Sequence, residues 1–365
     1  MLVKIGFLTL LLSTILCFIF IILSRNNGKF LDNHNGVQNI HKSDVPRIGG
    51  LAILISLSVG LIIFFMRFKD LKYISLLLSA LPITLVGLYE DVKHKLSPRF
   101  RLLISFISAL VAIFLLEAYI IRTGLFFLDY LVHYKIISVI FSAIAIAGIT
   151  NAINIIDGLN GLSSGTAMIL LTAIGYMAFK FQDFFLLSII TLMGAAILGF
   201  FIWNYPYGRI FLGDGGAYII GFILAVTSIL LVKRNPTISP WAPILVLIYP
   251  AFETLFSIYR RKFKKRKNPI IADTLHLHSL FYRRVIPFLF NGNINQGSNN
   301  PATSPFLWIL CSFSIVPAVM FMHKTLLLIM CSFLFIFIYL YLYKSIINFK
   351  FSNFLRRVAN GNNKR

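Results

Sequence analysis

Carboxylates are scarce in this chain, where 12 Asp and Glu stand against 34 Lys and Arg. Two of them, Glu90 and Asp91, are adjacent at the end of an apolar run, in Gly87-Leu88-Tyr89-Glu90-Asp91. A helix C-terminus already carries partial negative charge, so an exposed acid there is unfavourable by roughly 0.3–1 kcal/mol. Compensating positive charge is expected. Lys93, Lys95, Arg99 and Arg101 follow at once, and a metal ion or the cations of a phosphate site would add to them. A second group is spaced by threes: Asn151, Asn154 and Asp157 share one stripe while the chain stays helical. Two carboxamides and a carboxylate suit a hard cation such as Mg2+, which keeps several waters and takes further oxygen ligands from phosphates. Asparagine hydrogen bonding between membrane helices explains the stripe alone, but not the turn Asp157-Gly158-Leu159-Asn160-Gly161 that follows it.

Three more blocks carry chemistry. Phe211-Leu212-Gly213-Asp214-Gly215-Gly216 precedes an apolar run; its glycines let backbone N–H groups approach an anion at a helix N-terminus, and Asp214 can hold the metal such an anion brings. A basic stretch holds seven cations in the eight residues from Arg260 to Lys267 and leads to Asp273-Thr274-Leu275-His276-Leu277-His278. Anchoring to anionic lipid accounts for the cations. On an extended or irregular segment His276 and His278 face one way and could jointly meet a phosphate or sugar, while a lone His-x-His is too sparse for a zinc site. Finally, His41-Lys42-Ser43-Asp44-Val45-Pro46-Arg47-Ile48-Gly49-Gly50 enters another apolar run; Pro46 fixes the entry, and Lys42 and Arg47 could contact an anionic substrate at the membrane surface.

The elements that must position these residues are membrane helices. The 365 residues are 58% hydrophobic with 36 Phe and a mean hydropathy of +0.84, too apolar for a water-soluble domain. Taking runs of about 17–21 residues as spans predicts an all-α polytopic bundle of about eleven transmembrane helices, near 7–23, 48–66, 73–89, 102–121, 136–156, 162–181, 184–203, 216–232, 241–259, 306–322 and 325–343. The continuous runs exclude an outer-membrane barrel, whose strands are shorter and alternate. Sorting the connections by side gives 24 Lys and Arg in one set and 10 in the other. The positive-inside rule puts the richer set in the cytoplasm, with the N-terminus outside and the C-terminus inside. Most of the acids then fall on the cytoplasmic side. The net charge of +22 is a membrane-orienting charge and not a nucleic-acid footprint. Residues 1–365 form a single polytopic domain, with a large cytoplasmic loop at 260–305 and a basic tail at 344–365. Within these, Asn291–Pro305 and Lys350–Arg365 read as flexible polar segments. The run after Lys4 is long enough to span and is expected to be retained as a first helix. Cys17, Cys311 and Cys331 all lie in apolar runs, without zinc or disulfide spacing. Homodimerisation through membrane faces is compatible with this pattern, though no local motif demands it.

Taken together and in order, the five blocks resemble the polyprenyl-phosphate N-acetylhexosamine-1-phosphate transferases, the family of phospho-MurNAc-pentapeptide translocase and the GlcNAc-1-phosphate transferases that begin O-antigen and teichoic acid linkage synthesis. The resemblance covers roughly residues 40–282. It implies transfer of a sugar 1-phosphate from a UDP-N-acetylhexosamine to undecaprenyl phosphate, with Mg2+ (or Mn2+ in its place) and release of UMP, at the cytoplasmic face of the bacterial inner membrane. On this resemblance Asp91 and Glu90 stand at the family's acidic pair near the acceptor phosphate, with Glu90 where Asp is usual, and Asp157 at a further functional acid. Asp214 and Asn154 stand at metal positions. Asn160, Asn151, Gly213, His276 and His278 fall on the nucleotide-sugar side, and Glu253 matches an acid of the GlcNAc branch. Thr274 replaces the Arg that commonly precedes the histidines, and Ser279 a further His, which leaves Arg283, Arg284 or the 260–267 run for the diphosphate. These departures favour the surface-polysaccharide branch over the pentapeptide translocase. A transporter using Glu117 and Glu253 is the competing class, disfavoured because the polar motifs cluster on one side and no pair of interrupted helices repeats.

Overall fold

The computed structural model describes residues 1–27, 45–264, 275–289 and 296–348. Among them the chain is helical, with no strand. Ten helices are long and apolar enough to cross a membrane: α1 (Leu2–Asn27), α2 (Gly49–Phe68), α3 (Lys72–Lys93), α4 (Pro98–Leu116), α6 (Lys135–Ile156), α7 (Leu162–Lys180), α8 (Phe184–Asn204), α9 (Gly213–Arg234), α14 (Gln296–Met320) and α15 (Thr325–Ile347). The short α5 (Phe126–Val132) lies between α4 and α6 and exposes Phe126, Phe127 and Tyr130, the aromatic dress of a segment lying at a membrane–water interface.

The ninth predicted span is two helices in tandem, α10 (Trp241–Val246) and α11 (Ile248–Tyr259), joined at Leu247 with φ −86° and ψ 5°. Pro250 has no N–H to reach back across that joint, and helices break where such a bond is lost. A π-helical turn, Arg260–Lys264, continues α11. After the loop, α12 (Leu277–Leu280), a second π turn (Phe281–Val285) and α13 (Ile286–Leu289) run in succession.

One expectation is corrected. Residues 296–305 are helical, the first turns of α14, and not a flexible link. Two of the polar side chains there are used: Asn300 Oδ1 accepts from Asn160 N–H at 2.7 Å, and Ser304 Oγ donates to Asn160 O at 2.6 Å. Residues 291–295 and 349–365 lie outside the described residues.

The helices surround α9, whose residues are buried almost throughout. A helix apolar on every side belongs in the middle of a bundle. Close approach depends on missing side chains: a Cβ on Gly50 of α2 would lie 2.2 Å from Gly216 N, and one on Gly87 of α3 would lie 2.6 Å from Gly215 Cα. The motif glycines thus let α2 and α3 press their backbones against the start of α9. The outer helices instead expose large apolar residues, such as Phe7 and Phe18 on α1 and Phe333 and Phe337 on α15, as lipid contact requires. Cys17 and Cys311 are buried and Cys331 half-buried, all free thiols.

Candidate active site at the N-terminus of the central helix

Chain entry to α9 is fixed by pairing with the segment before α2. Phe211 N–H donates to Pro46 O at 2.9 Å, and Gly49 and Gly50 N–H donate to Phe211 O and Leu212 O at 2.9 and 2.8 Å. Gly213 then turns with φ +75°, and a Cβ there would lie 2.5 Å from Asp91 Oδ2. Only glycine meets both demands at low cost.

Asp91, from the end of α3, accepts two of the N–H groups that α9 cannot satisfy internally: Asp214 N–H at 2.7 Å to Oδ1 and Gly215 N–H at 3.0 Å to Oδ2. Its side chain is 0% exposed, and Arg47 Nε lies 3.2 Å from Oδ1. The acid that seemed misplaced at the C-terminus of α3 therefore sits against the positive end of another helix. Its neighbour Glu90 points elsewhere, accepting from Leu96 N–H at 2.8 Å and closing the link to α4.

Asp214, one residue into α9, gathers the cations. Arg47 Nη2 is 3.0 Å from its Oδ1, Arg101 Nη1 pairs with Oδ2, and Asn154 Nδ2 donates to Oδ1 at 3.1 Å. Arg47 thus bridges Asp91 and Asp214, while Arg101 comes from α4, where Ser97 caps the helix by accepting from Phe100 N–H at 3.2 Å. Asp157 follows α6 directly and is half-buried. Burial pushes its carboxyl up to about 7, against the opposing pull of Arg47.

Asn151 is not in this group. Its Nδ2 donates to Ser105 Oγ at 3.1 Å and to Ala147 O at 2.8 Å, joining α6 to α4. Asn160 is also committed to structure: its Nδ2 donates to Pro206 O at 3.1 Å, its N–H goes to Asn300, and its carbonyl accepts from Ser304. Asn204 fastens the same turn, accepting from Gly161 N–H at 2.7 Å.

His276 and His278 are buried, with rings parallel at 4° and 5.3 Å between centroids. A Cβ on Gly158 would lie 2.6 Å from His278 Nε2, so the histidine pair abuts the Asp157–Gly161 turn. Arg283 is exposed on the turn beyond. Arg284 donates to Ile347 O at 2.8 Å and caps α15. Lys42, Asp273, Thr274 and residues 265–267 lie outside the described residues.

Sequence reasoning missed the pairing of Arg101 with Asp214 and the docking of Asp91 onto α9, because neither partner is close in sequence. It also set Glu117 beside Glu253 as intramembrane acids. The side chain of Glu117 is 73% exposed at the end of α4 and paired with Lys233 at 3.0 Å, whereas Glu253 is fully buried and pairs with His276. They do not line one path.

One carboxylate beside a carboxamide, at a helix N-terminus, fits a hard cation that takes its remaining ligands from phosphate oxygens, with Asn154, whose Nδ2 faces Asp214, offering its oxygen on a turn of the amide. Among the described residues no cluster of three or more His, Cys, Asp or Glu could enclose a metal unaided. Asp214 and Asn154 would hold it, with Asp157 nearby in the chain. Two guanidinium groups beside the acid supply planar donors for phosphate.

Residues 73–232 match the profile of Glycosyl transferase family 4. The chain is 32% identical over 250 residues to a probable undecaprenyl-phosphate N-acetylglucosaminyl 1-phosphate transferase of Bacillus subtilis, covering 66% of each chain. It is 30% identical over 257 residues to an undecaprenyl-phosphate alpha-N-acetylglucosaminyl 1-phosphate transferase of Thermotoga maritima, covering 70% of this chain and 74% of that one. A phospho-N-acetylmuramoyl-pentapeptide-transferase of Streptococcus pneumoniae is 29% identical over 228 residues, 60% of this chain and 67% of its own. The chain, with its motifs gathered at the head of α9, belongs to glycosyl transferase family 4.

Proposed function

We propose that this protein transfers an N-acetylhexosamine 1-phosphate from a UDP-sugar to undecaprenyl phosphate, giving undecaprenyl-diphosphate-sugar and UMP. The observation that carries this reading is the site at α9: an acid at a helix N-terminus, flanked by two arginines and a carboxamide. That arrangement binds a diphosphate together with a cation. The acceptor phosphate oxygen attacks the sugar-linked phosphorus, the bond to the bridging oxygen breaks, and the electron pair leaves with UMP. A phosphomonoester with a second pKa of about 6 is already largely dianionic at neutral pH, so no strong base is required. Asp91 then serves by holding α9, and with it Asp214, in place. Arg47 and Arg101, placed by their pairing with Asp214, would bind and orient phosphate oxygens. When bound, Mg2+ (or Mn2+) would neutralise charge developing on the diphosphate.

Similarity to the two GlcNAc-1-phosphate transferases favours UDP-GlcNAc as donor; the role we propose is the start of O-antigen or another surface polysaccharide. The Lys and Arg asymmetry favours a site working at the cytoplasmic face, and similarity to transferases of Bacillus and Thermotoga favours a bacterial inner membrane. The second reading, phospho-MurNAc-pentapeptide as the transferred group, draws on the Streptococcus relative.

Purified protein is incubated with undecaprenyl phosphate, Mg2+ and a panel of UDP-N-acetylhexosamines and UDP-MurNAc-pentapeptide. Lipid-dependent UMP release, lost in Asp214→Ala, is expected with UDP-GlcNAc. Release with the pentapeptide donor alone would favour the second reading, and no release from folded protein with any donor would defeat both.

A further inference from the structure

The structure contains a buried polar group that the reaction above does not use. Glu253, on α11, is fully buried. Its Oε1 faces His276 Nδ1 at 2.9 Å and accepts from Leu277 N–H at 3.1 Å, and its Oε2 accepts from Tyr339 OH at 2.6 Å. Three elements meet on one carboxylate: the broken span, the histidine loop and the last helix. The backbone N–H of Leu277 can only donate, and a carboxylate can only accept. A charged Glu253 therefore requires the proton of His276 to sit on Nδ1, leaving Nε2 as the nitrogen available to anything entering the site.

We propose that Glu253 is a positioning residue that selects the Nδ1–H tautomer of His276 and, by also gripping Leu277 N–H, holds the stacked His276–His278 pair against the Asp157–Gly161 turn. Resting on the function proposed above, the group presented to that Nε2 is a sugar hydroxyl of the nucleotide-sugar, which donates to it, because a ring nitrogen without a proton can only accept. A carboxylate behind an imidazole fixes both ring orientation and tautomer in metal sites and in catalytic triads alike. Tyr339 completes the arrangement by satisfying the second oxygen, so that neither lone-pair set of the buried acid is left without a donor.

The test uses full-length protein in detergent with histidine ring nitrogens labelled, and His276 assigned by the signals missing from His276→Gln. Nitrogen–proton correlation spectra show Nδ1 as the protonated nitrogen in the wild type. In Glu253→Leu, which keeps the volume and removes the acceptor, the proton moves to Nε2. On the same samples UMP release falls roughly tenfold or more in kcat for Glu253→Leu and for His276→Gln, and the double variant falls no further than the worse single one, as for residues acting as a unit. A wild-type spectrum with the proton on Nε2 overturns the proposal without need of any variant, and so do losses that multiply in the double variant. The spectrum needs no substrate. A folded protein that shows the Nδ1–H tautomer yet releases no UMP would therefore refute the transferase and leave the tautomer assignment standing.

Discussion

Asp157 shows how a single residue carries a measurable consequence of its place. Its carboxyl is raised from 3.8 to about 7 by burial, so folding favours its protonated form. A group raised on folding contributes stability that is full below its unfolded value and is lost as pH rises through its folded value. Without divalent cation, the thermal midpoint of the wild type should thus fall between pH 5 and pH 8 relative to that of Asp157→Asn, which cannot ionise. Mg2+ should narrow the difference if the cation binds beside this acid. Calorimetry of the two proteins in EDTA and in Mg2+ checks both statements. Gly213 makes a steric prediction instead. Ala there must adopt φ +75° and meet Asp91 Oδ2 at 2.5 Å. The left-handed backbone alone costs about 1–2 kcal/mol, so Gly213→Ala should lower the unfolding midpoint and abolish UMP release together. Asp214, Asn154 and Arg47, singled out in the sequence because their types suit phosphate and metal, do meet in the structure. Asn151 and Asn160 are of the same type, yet they serve Ser105, Pro206 and Asn300. A carboxamide's partner depends on a third dimension that spacing does not contain.

Among the elements, α9 decides the site, and its first turn depends on α3. Removing the Asp91 carboxylate leaves the N–H groups of Asp214 and Gly215 without acceptors in a buried place, at about 1–3 kcal/mol for each such group. Asp91→Ala should therefore unfold at a clearly lower temperature than the wild type even without substrate or metal. Asp214→Asn, which leaves those bonds intact, should lose activity with a smaller fall in midpoint. Thermal unfolding monitored by tryptophan fluorescence separates the two. The long apolar runs made most helices readable from sequence. Two elements were not. The joint at Leu247 lies inside a run of uniform hydropathy, where only Pro250 hints at a break. The first turns of α14 were misread because Asn-Asn-Pro-Ala-Thr-Ser-Pro has turn composition, while contacts to Asn160 hold it helical.

At the scale of the molecule, the alternation of helices brings Arg47, Asp91, Arg101, Asn154 and Asp214 to one end of the bundle. Among the described residues, the other end carries the ion pairs Glu117 with Lys233 and Asp183 with Arg234. Charge asymmetry in the sequence predicts which end is cytoplasmic. With the three cysteines replaced by alanine, a cysteine at Val3 should react with a membrane-impermeant maleimide in intact cells, and one at Ser352 only after lysis. The central claim concerns which bond breaks, and it is tested most directly with UDP-GlcNAc bearing a radiolabelled β-phosphate. Incubated with the protein, undecaprenyl phosphate and Mg2+, the label should pass into the lipid fraction while unlabelled UMP appears in equal amount. Label left in the aqueous phase as UDP, with sugar alone reaching the lipid, would contradict sugar-phosphate transfer.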